Sequence, residues 1–251
     1  MIELHYSPTP NCWKVAILLE EAGLQYTIKR YNLFQGDHLV PAFRRINPNN
    51  KLPAIVDQDP ADGGPEISVF ESGAILFYLA EKTGQFLARD ARRRIATMKW
   101  LAWQIAGLGP MMGQAGHFVR YVREPQPYSA QRYLNESRRL MHVLEYRLRE
   151  SEYLADEYSI ADMAVWPWIR FLSLLEIDVA EYPHVSRWSD VVGRRPAVQR
   201  VFTSPATAPD PAYLREKRVL TDEEWSNTYG ERMLQAARLI PEDACSIGAR
   251  S

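Results

Sequence analysis

Cysteine is nearly absent: the 251 residues include two, Cys12 and Cys245. Two thiols cannot build a disulfide framework. Neither lies in a Cys-x-x-Cys pair or a Cys/His cluster with metal-ligand spacing, so no metal is expected. Long apolar runs are also lacking. None reaches the ~18 residues a membrane span requires, so no membrane partner is expected. Neither charge is in excess: 30 Lys and Arg stand against 31 Asp and Glu, a formal net charge of −1. That balance gives no electrostatic pull toward nucleic acid or anionic lipid. The arginine clusters Arg92-Arg93-Arg94 and Arg194-Arg195 read as solvated helix faces. No basic region followed by an apolar stretch precedes the first strand pattern, so an export signal is not read and a cytoplasmic protein is expected. At 46% hydrophobic and 24% charged, the composition is that of a globular protein with one large or two small domains.

What the chain does have is a strand-to-helix turn at Tyr6-Ser7-Pro8-Thr9-Pro10-Asn11-Cys12-Trp13-Lys14. Ile2, Leu4 and Tyr6 alternate with polar residues before it, and Val15, Leu18, Leu19 and Ala22 follow at helical spacing. Pro10 suits a helix start, which needs no N–H there. Thr9, Asn11 and Cys12 therefore crowd the positive end of a helix, a place that stabilises anions and thiolates. Tyr6 alternates inward and reads as core, and Ser7 as a turn residue. Thr9 has a plainer alternative as a helix cap. Cys12 reads as a small buried residue, with a resolving thiol as the alternative.

A second strand around Tyr26–Ile28, a loop over Asn32–Asp37 and a short helix over Val40–Ile46 come next. Asn47-Pro48-Asn49-Asn50 is a strong turn cluster. Leu52–Val56 reads as a strand with proline at its entry, Ile67–Phe70 as its hairpin partner, and Glu71–Thr83 as a helix stopped by Gly84. This order, a parallel βαβ unit and then an antiparallel ββα unit, predicts an α/β layer. From Asp90 on, only helical spacing recurs: Ile95, Met98, Ala102 and Ile105; Leu134, Met141, Leu144 and Leu148; Val185, Trp188 and Val192. Ser159-Ile160-Ala161-Asp162 has capping-box spacing. The helix it opens is apolar nearly all round, hence buried, with Pro167 expected to kink it. The predicted class is α/β plus all-α, with domains at 1–86 and 90–203 and an extension at 204–251. Prolines at 205, 209 and 211 mark a linker in that extension. Its helix over Thr221–Leu239, carrying Trp225 and Tyr229, is expected to pack back on the helical domain.

Thr9-Pro10-Asn11-Cys12 has the spacing of the Cys-Pro-x-Cys motif of glutaredoxins, with threonine in the attacking place. With Leu52-Pro53 before the third strand, the first domain resembles a thioredoxin-like fold, which implies a cis proline facing the active turn. Joined to the helical domain, the whole resembles a cytosolic glutathione transferase, and within these the bacterial nu class, or disulfide-bond reductases. The residues carrying that likeness are Pro8 to Asn11, Asn47 to Asp57, Phe70 to Leu76, Gly107 to Gln114, Tyr158 to Asp162 and Trp166-Pro167-Trp168. They cover residues 1 to about 200, leaving the tail outside.

The resemblance implies that Thr9 and Asn11 donate hydrogen bonds toward the sulfur of bound glutathione, and that Lys51 reaches its glycyl carboxylate. Leu52, beside Pro53, offers backbone groups to the cysteinyl part. Glu71 takes the γ-glutamyl ammonium, Ser72 the carboxylate, and Arg132 reaches in from the helical domain. His38 stands where the class usually has glutamine, so its charge would depend on pH. With no Cys-x-x-Cys dithiol in the chain, two glutathione molecules would have to supply the two thiols. Glutathione is thus the expected cosubstrate and a small disulfide the expected substrate, in a homodimer. Two other readings stay open. One is a transferase conjugating glutathione to electrophiles or reducing hydroperoxides, with Trp103, His117, Phe118 and Tyr121 as candidate lining. The other is a non-catalytic regulator, as in a yeast nitrogen-regulating protein of this fold, whose long Asn/Gln-rich N-terminal extension has no counterpart before residue 2.

Overall fold

A computed structural model of the chain describes residues 1–209 and 218–238. Strand β1 (Ile2–Tyr6) leads into helix α1 (Pro10–Glu21). Strand β2 (Tyr26–Arg30), helix α2 (Pro41–Ile46), β3 (Ala54–Asp57), β4 (Ile67–Phe70) and α3 (Ser72–Thr83) follow. The strands form one mixed sheet in the order β2-β1-β3-β4. β1 and β2 are parallel, with Ile2 opposite Tyr26, whereas β3 is antiparallel to both β1 and β4. This is the thioredoxin-like arrangement expected: the parallel pair needs a crossover helix, and a turn suffices for the antiparallel one. The Leu52–Pro53 peptide before β3 is cis.

The remaining elements are helical: α4 (Ala91–Trp103), α5 (Gly109–Gly116), α6 (Pro127–Glu150), α7 (Ile160–Ile169), α8 (Pro183–Gly193), α9 (Pro196–Thr203), α10 (Asp222–Thr228) and α11 (Glu231–Arg238). Widened π turns at Gln104–Leu108 and His117–Tyr121 flank α5. Contacts group the chain into two compact units that cut across chain order. Among the described residues, one holds 1–7, 25–71 and 220–238; the other holds 8–24, 72–209 and 218–219. Helices α1 and α3 therefore pack with the helical elements.

In the sheet unit, Tyr31, Phe43 and Ala54 form a buried cluster with Ile46, Leu52 and Phe70 against it. In the helical unit, α1 is buried from Cys12 through Leu19 because α3, α7 and α9 all pack on it. Helix α7 is buried along its whole length and runs through Pro167 to Ile169. The capping box at its start is formed, and Asp162 does more than cap. Its carboxylate accepts from the N–H groups of Ser159 and Leu154 at 3.0 Å each, from Ser159 Oγ at 3.2 Å and from Trp188 Nε1 at 2.9 Å.

The helix marked by Ile95, Met98 and Ala102 is formed as α4, yet Ile95 is 67% exposed. The inward stripe runs Thr97, Leu101, Gln104, Leu108; two of these are polar, so hydrophobic spacing selects the neighbouring stripe. Arg195 is not a solvated face residue. It pairs with Glu21 through two bonds of 2.5 and 3.0 Å and lies 3.8 Å over the Tyr158 ring. The tail is not one helix on the helical domain. It breaks at Tyr229-Gly230 into α10 and α11 and packs in the sheet unit. The expected linker beyond Pro209, and Leu239 and Cys245, lie outside the described residues.

Candidate functional site

The residues singled out in the sequence fall on both units. In the helical unit, Thr9 is the N-cap of α1 with extended backbone (φ −125°, ψ 156°), and its side chain makes no capping hydrogen bond. The plainer reading of Thr9 as a cap is therefore not realised. Thr9 and Asn11 are both half-buried, beside first-turn N–H groups that no helical carbonyl can satisfy. Cys12, one residue on, has no exposed surface, so it presents no thiol to a disulfide.

Ser72 opens α3 and is 8% exposed. A residue the sequence reading passed over reaches it. Lys14, 2% exposed, donates from Nζ to Gln104 Oε1 at 2.6 Å and to Ser72 Oγ at 3.3 Å. Gln104 begins the π turn, and Gly109 faces it so closely that an added Cβ would lie 2.6 Å from Gln104 Nε2. The glycine in Gly107-Leu108-Gly109-Pro110 thus makes room for the buried lysine's partner. The signal available beforehand was a lysine inside an otherwise apolar helix face, since buried lysines are rare. Arg132 is exposed on α6, and no hydrogen bond or ion pair joins it to Thr9, Asn11 or Ser72 among the described residues. Of the candidate lining residues, Phe118 stacks on Tyr133 (centroids 5.5 Å, 8° between planes).

In the sheet unit, the Asn47–Lys51 turn is held from inside. Asn47 Nδ2 donates to the Lys51 carbonyl at 2.6 Å, and its Oδ1 accepts from Asn49 N–H at 2.9 Å. Asn50 adopts φ 52° and donates from Nδ2 to the His38 carbonyl at 2.7 Å. Asparagine is among the residues that tolerate this left-handed conformation. Glu71 takes it too, at φ 68°, where a glutamate is strained by about 1–2 kcal/mol. Its exposed carboxylate accepts from Asn49 Nδ2 at 3.4 Å. Leu52 is half-buried and Pro53 buried at the entry to β3.

His38 is 2% exposed. Burial, with the nearby positive charge of Lys51 adding to it, pushes its pKa down to about 4. The pH dependence expected of its charge is thereby moved into the acidic range. The Lys51 ammonium, for its part, is pulled below the usual lysine value by desolvation. No cluster of three or more metal-ligating side chains occurs among the described residues. No helix there is long and apolar enough to cross a membrane.

A mixed four-stranded layer with a cis proline, joined to a helical unit with a buried capping aspartate, can be compared with known proteins. The family model "Glutathione S-transferase, N-terminal domain" matches residues 2–81, and "Glutathione S-transferase, C-terminal domain" matches residues 109–196. The chain belongs to the glutathione S-transferase family. Within that family it is 52% identical to the disulfide-bond oxidoreductase YfcG of Escherichia coli, over 78% of this chain and 92% of that protein. A solved glutathione transferase from Pseudomonas putida, with one glutathione disulfide bound per subunit, superposes with TM-score 0.77 at 40% identity. The match covers 81% of this chain and 91% of that one. A glutathione transferase from Burkholderia graminis, with two glutathione molecules bound per subunit, gives TM-score 0.76 at 42% identity. It covers 81% of this chain and 88% of the other. The tail, α10 and α11, lies beyond both family matches.

Proposed function

We propose that this glutathione S-transferase family member is a glutathione-dependent disulfide-bond reductase of the nu class. The observation that carries the proposal is the α1 turn: an uncapped Thr9 hydroxyl and Asn11 at a helix start whose own cysteine is sealed from solvent. Such a turn stabilises a thiolate that the chain itself does not present. The likeness to an oxidoreductase and to transferases holding one glutathione disulfide or two glutathione molecules supports the same reading.

In this reading Thr9 and Asn11 donate to the glutathione sulfur, and Lys51 binds the glycyl carboxylate. His38, as a neutral imidazole, keeps one hydrogen bond in place of the usual glutamine. Leu52, beside Pro53, offers its backbone to the cysteinyl part. Glu71 holds the γ-glutamyl ammonium and Ser72 its carboxylate, with Arg132 contributing from α6. The first glutathione thiolate attacks the substrate disulfide, forming a mixed disulfide and expelling one substrate thiolate. The second glutathione attacks the mixed disulfide, releasing the other substrate thiolate and glutathione disulfide. Two thiols are oxidised and one disulfide reduced. The protein orients the thiols and stabilises the thiolate. The active form is a homodimer acting in the cytoplasm, and sedimentation at twice the 28.9 kDa chain mass is the expected result.

The test compares turnover of 2-hydroxyethyl disulfide with that of a chlorinated aromatic electrophile, both with glutathione. Disulfide reduction should be the faster. Conjugation faster by about tenfold or more would overturn the reductase reading in favour of a conjugating transferase.

A further inference from the structure

The tail beyond the family matches is fastened to the sheet unit at several points, one of them Lys51, assigned above to the glycyl carboxylate of glutathione. Lys51 Nζ points at the Met233 sulfur, 3.1 Å away. Arg44 donates to the carbonyls of Ala236 and Ala237 at the end of α11, the second at 2.7 Å, where a cation meets the negative end of a helix. Asn227 of α10 donates to the Phe34 carbonyl at 2.8 Å. The adjoining loop approaches so closely that a Cβ on Gly36 (φ 78°) would lie 2.9 Å from Asn227 Oδ1. Helix α11 also packs on the Asp37–Leu39 turn that carries His38. In the same place two buried polar atoms, His38 Nδ1 and Asn50 Oδ1, have no hydrogen-bond partner among the described residues.

We propose that α11, through Met233, is the end wall of the glycyl subsite, and that it restricts the cosubstrate to thiol peptides ending at the glycyl carboxylate. The proposal rests on the glutathione reading given above. Lys51 Nζ has three donors and the thioether is a weak acceptor, so a carboxylate can join the ammonium while Met233 stays in place. A thiol peptide prolonged beyond glycine must place its next residue where α11 stands. Its binding therefore requires the wall to move, and Arg44 and Asn227 hold the wall. The unbranched, three-torsion side chain of methionine closes the space without a polar group of its own.

The experiment measures kcat/KM for reduction of 2-hydroxyethyl disulfide by the full chain, with glutathione and with γ-Glu-Cys-Gly-Gly. The tetrapeptide keeps the carboxylate but moves it one residue outward. The wild type should prefer glutathione by about fiftyfold or more. Met233→Ala should cut that preference at least tenfold, Met233→Leu should preserve it, and Lys51→Ala should weaken both thiols. Arg44→Gln, which releases the end of α11, should shift the preference as Met233→Ala does and serves if the latter unfolds. Equal use of both thiols by the wild type would overturn the wall. So would a preference that neither Met233→Ala nor Arg44→Gln changes. Calorimetric titration of the wild type with glutathione separates the two levels: absence of binding removes the glutathione reading and the wall with it, whereas binding with an unchanged preference removes the wall alone.

Discussion

Thr9, proposed above to donate to the glutathione sulfur, has a geometry that separates two roles that sequence leaves entangled. A threonine that caps a helix costs about 1 kcal/mol when replaced by alanine. A threonine that donates to a thiolate costs activity instead. Since Thr9 makes no capping bond, Thr9→Ala should leave the melting temperature within ~2–4 °C of wild type. It should lower kcat/KM for disulfide reduction by roughly 10- to 100-fold, the worth of one hydrogen bond to a charged group. Thr9→Ser should restore most of that. A large drop in thermal stability with little change in kinetics would reassign Thr9 to capping. His38 invites a second measurement. Its folded pKa, about 4, lies below the ordinary histidine value of 6.5. The unfolded chain therefore binds more protons between those values, and the stability His38 contributes is present above pH 6.5 and lost as pH falls toward 4. Asp162, raised to about 6 by burial despite its four donors, acts in the opposite sense, gaining stability as pH falls from 6 toward 4. The difference in melting temperature between wild type and His38→Gln isolates the histidine. That difference should shift against the wild type on acidification from pH 6.5 to 4.5, and a constant difference would show that burial does not depress the His38 pKa.

At the scale of elements, the helical unit depends on the start of α7. Asp162 is fully buried and collects four donors from Ser159, Leu154 and Trp188, so it ties the helix to the preceding loop and to α8. Asp162→Ala strands those donors in a dry interior. The cost should be about 3 kcal/mol or more, a fall of roughly 6–12 °C in melting temperature by calorimetry. A loss near 1 kcal/mol would mean that only the cap counts. The capping box was legible from Ser159 and Asp162 because its spacing is local. The bonds from Leu154 and Trp188 were not, because neither position announces a partner in the sequence. The same contrast holds in α4 and the π turn that follows it. There Thr97 and Gln104 turn inward, and Gln104 does so because buried Lys14 needs an acceptor.

At the scale of the molecule, positions far apart in the chain are joined by charge within the helical unit. Arg195, at the start of α9, holds Glu21 at the end of α1, and Arg200 holds Glu20 at 2.6 Å. The Glu21 side chain is 8% exposed. Removing Arg195 leaves that carboxylate without its cation, and a buried pair broken on one side costs several kcal/mol. Arg195→Ala should therefore destabilise the protein by about 2–3 kcal/mol, the lower part of that range because the arginine is partly solvated. The exposed pair Arg93–Glu157 should contribute under ~1 kcal/mol. Calorimetry of the two alanine variants side by side checks the ranking, and equal losses would remove the distinction.

The sequence by itself determined whatever rests on neighbours along the chain. That includes the alternation of β1, the proline-marked start of α1, the turn at Asn47–Asn50, the proline before β3 and the apolar girth of α7. It also placed Thr9 and Asn11 at a helix start, since dipole and unsatisfied N–H groups are local properties. Tertiary structure alone decided where polar and charged side chains find partners. It sealed Cys12, buried Lys14 against Gln104 and Ser72, kept His38 neutral and turned Arg195 from a surface residue into an ion-pair partner. It also set the tail on the sheet unit, with Met233 at Lys51. The physical reason is common to all of these: desolvation and pairing depend on which distant surface covers a group, and hydrophobic periodicity carries no record of that surface.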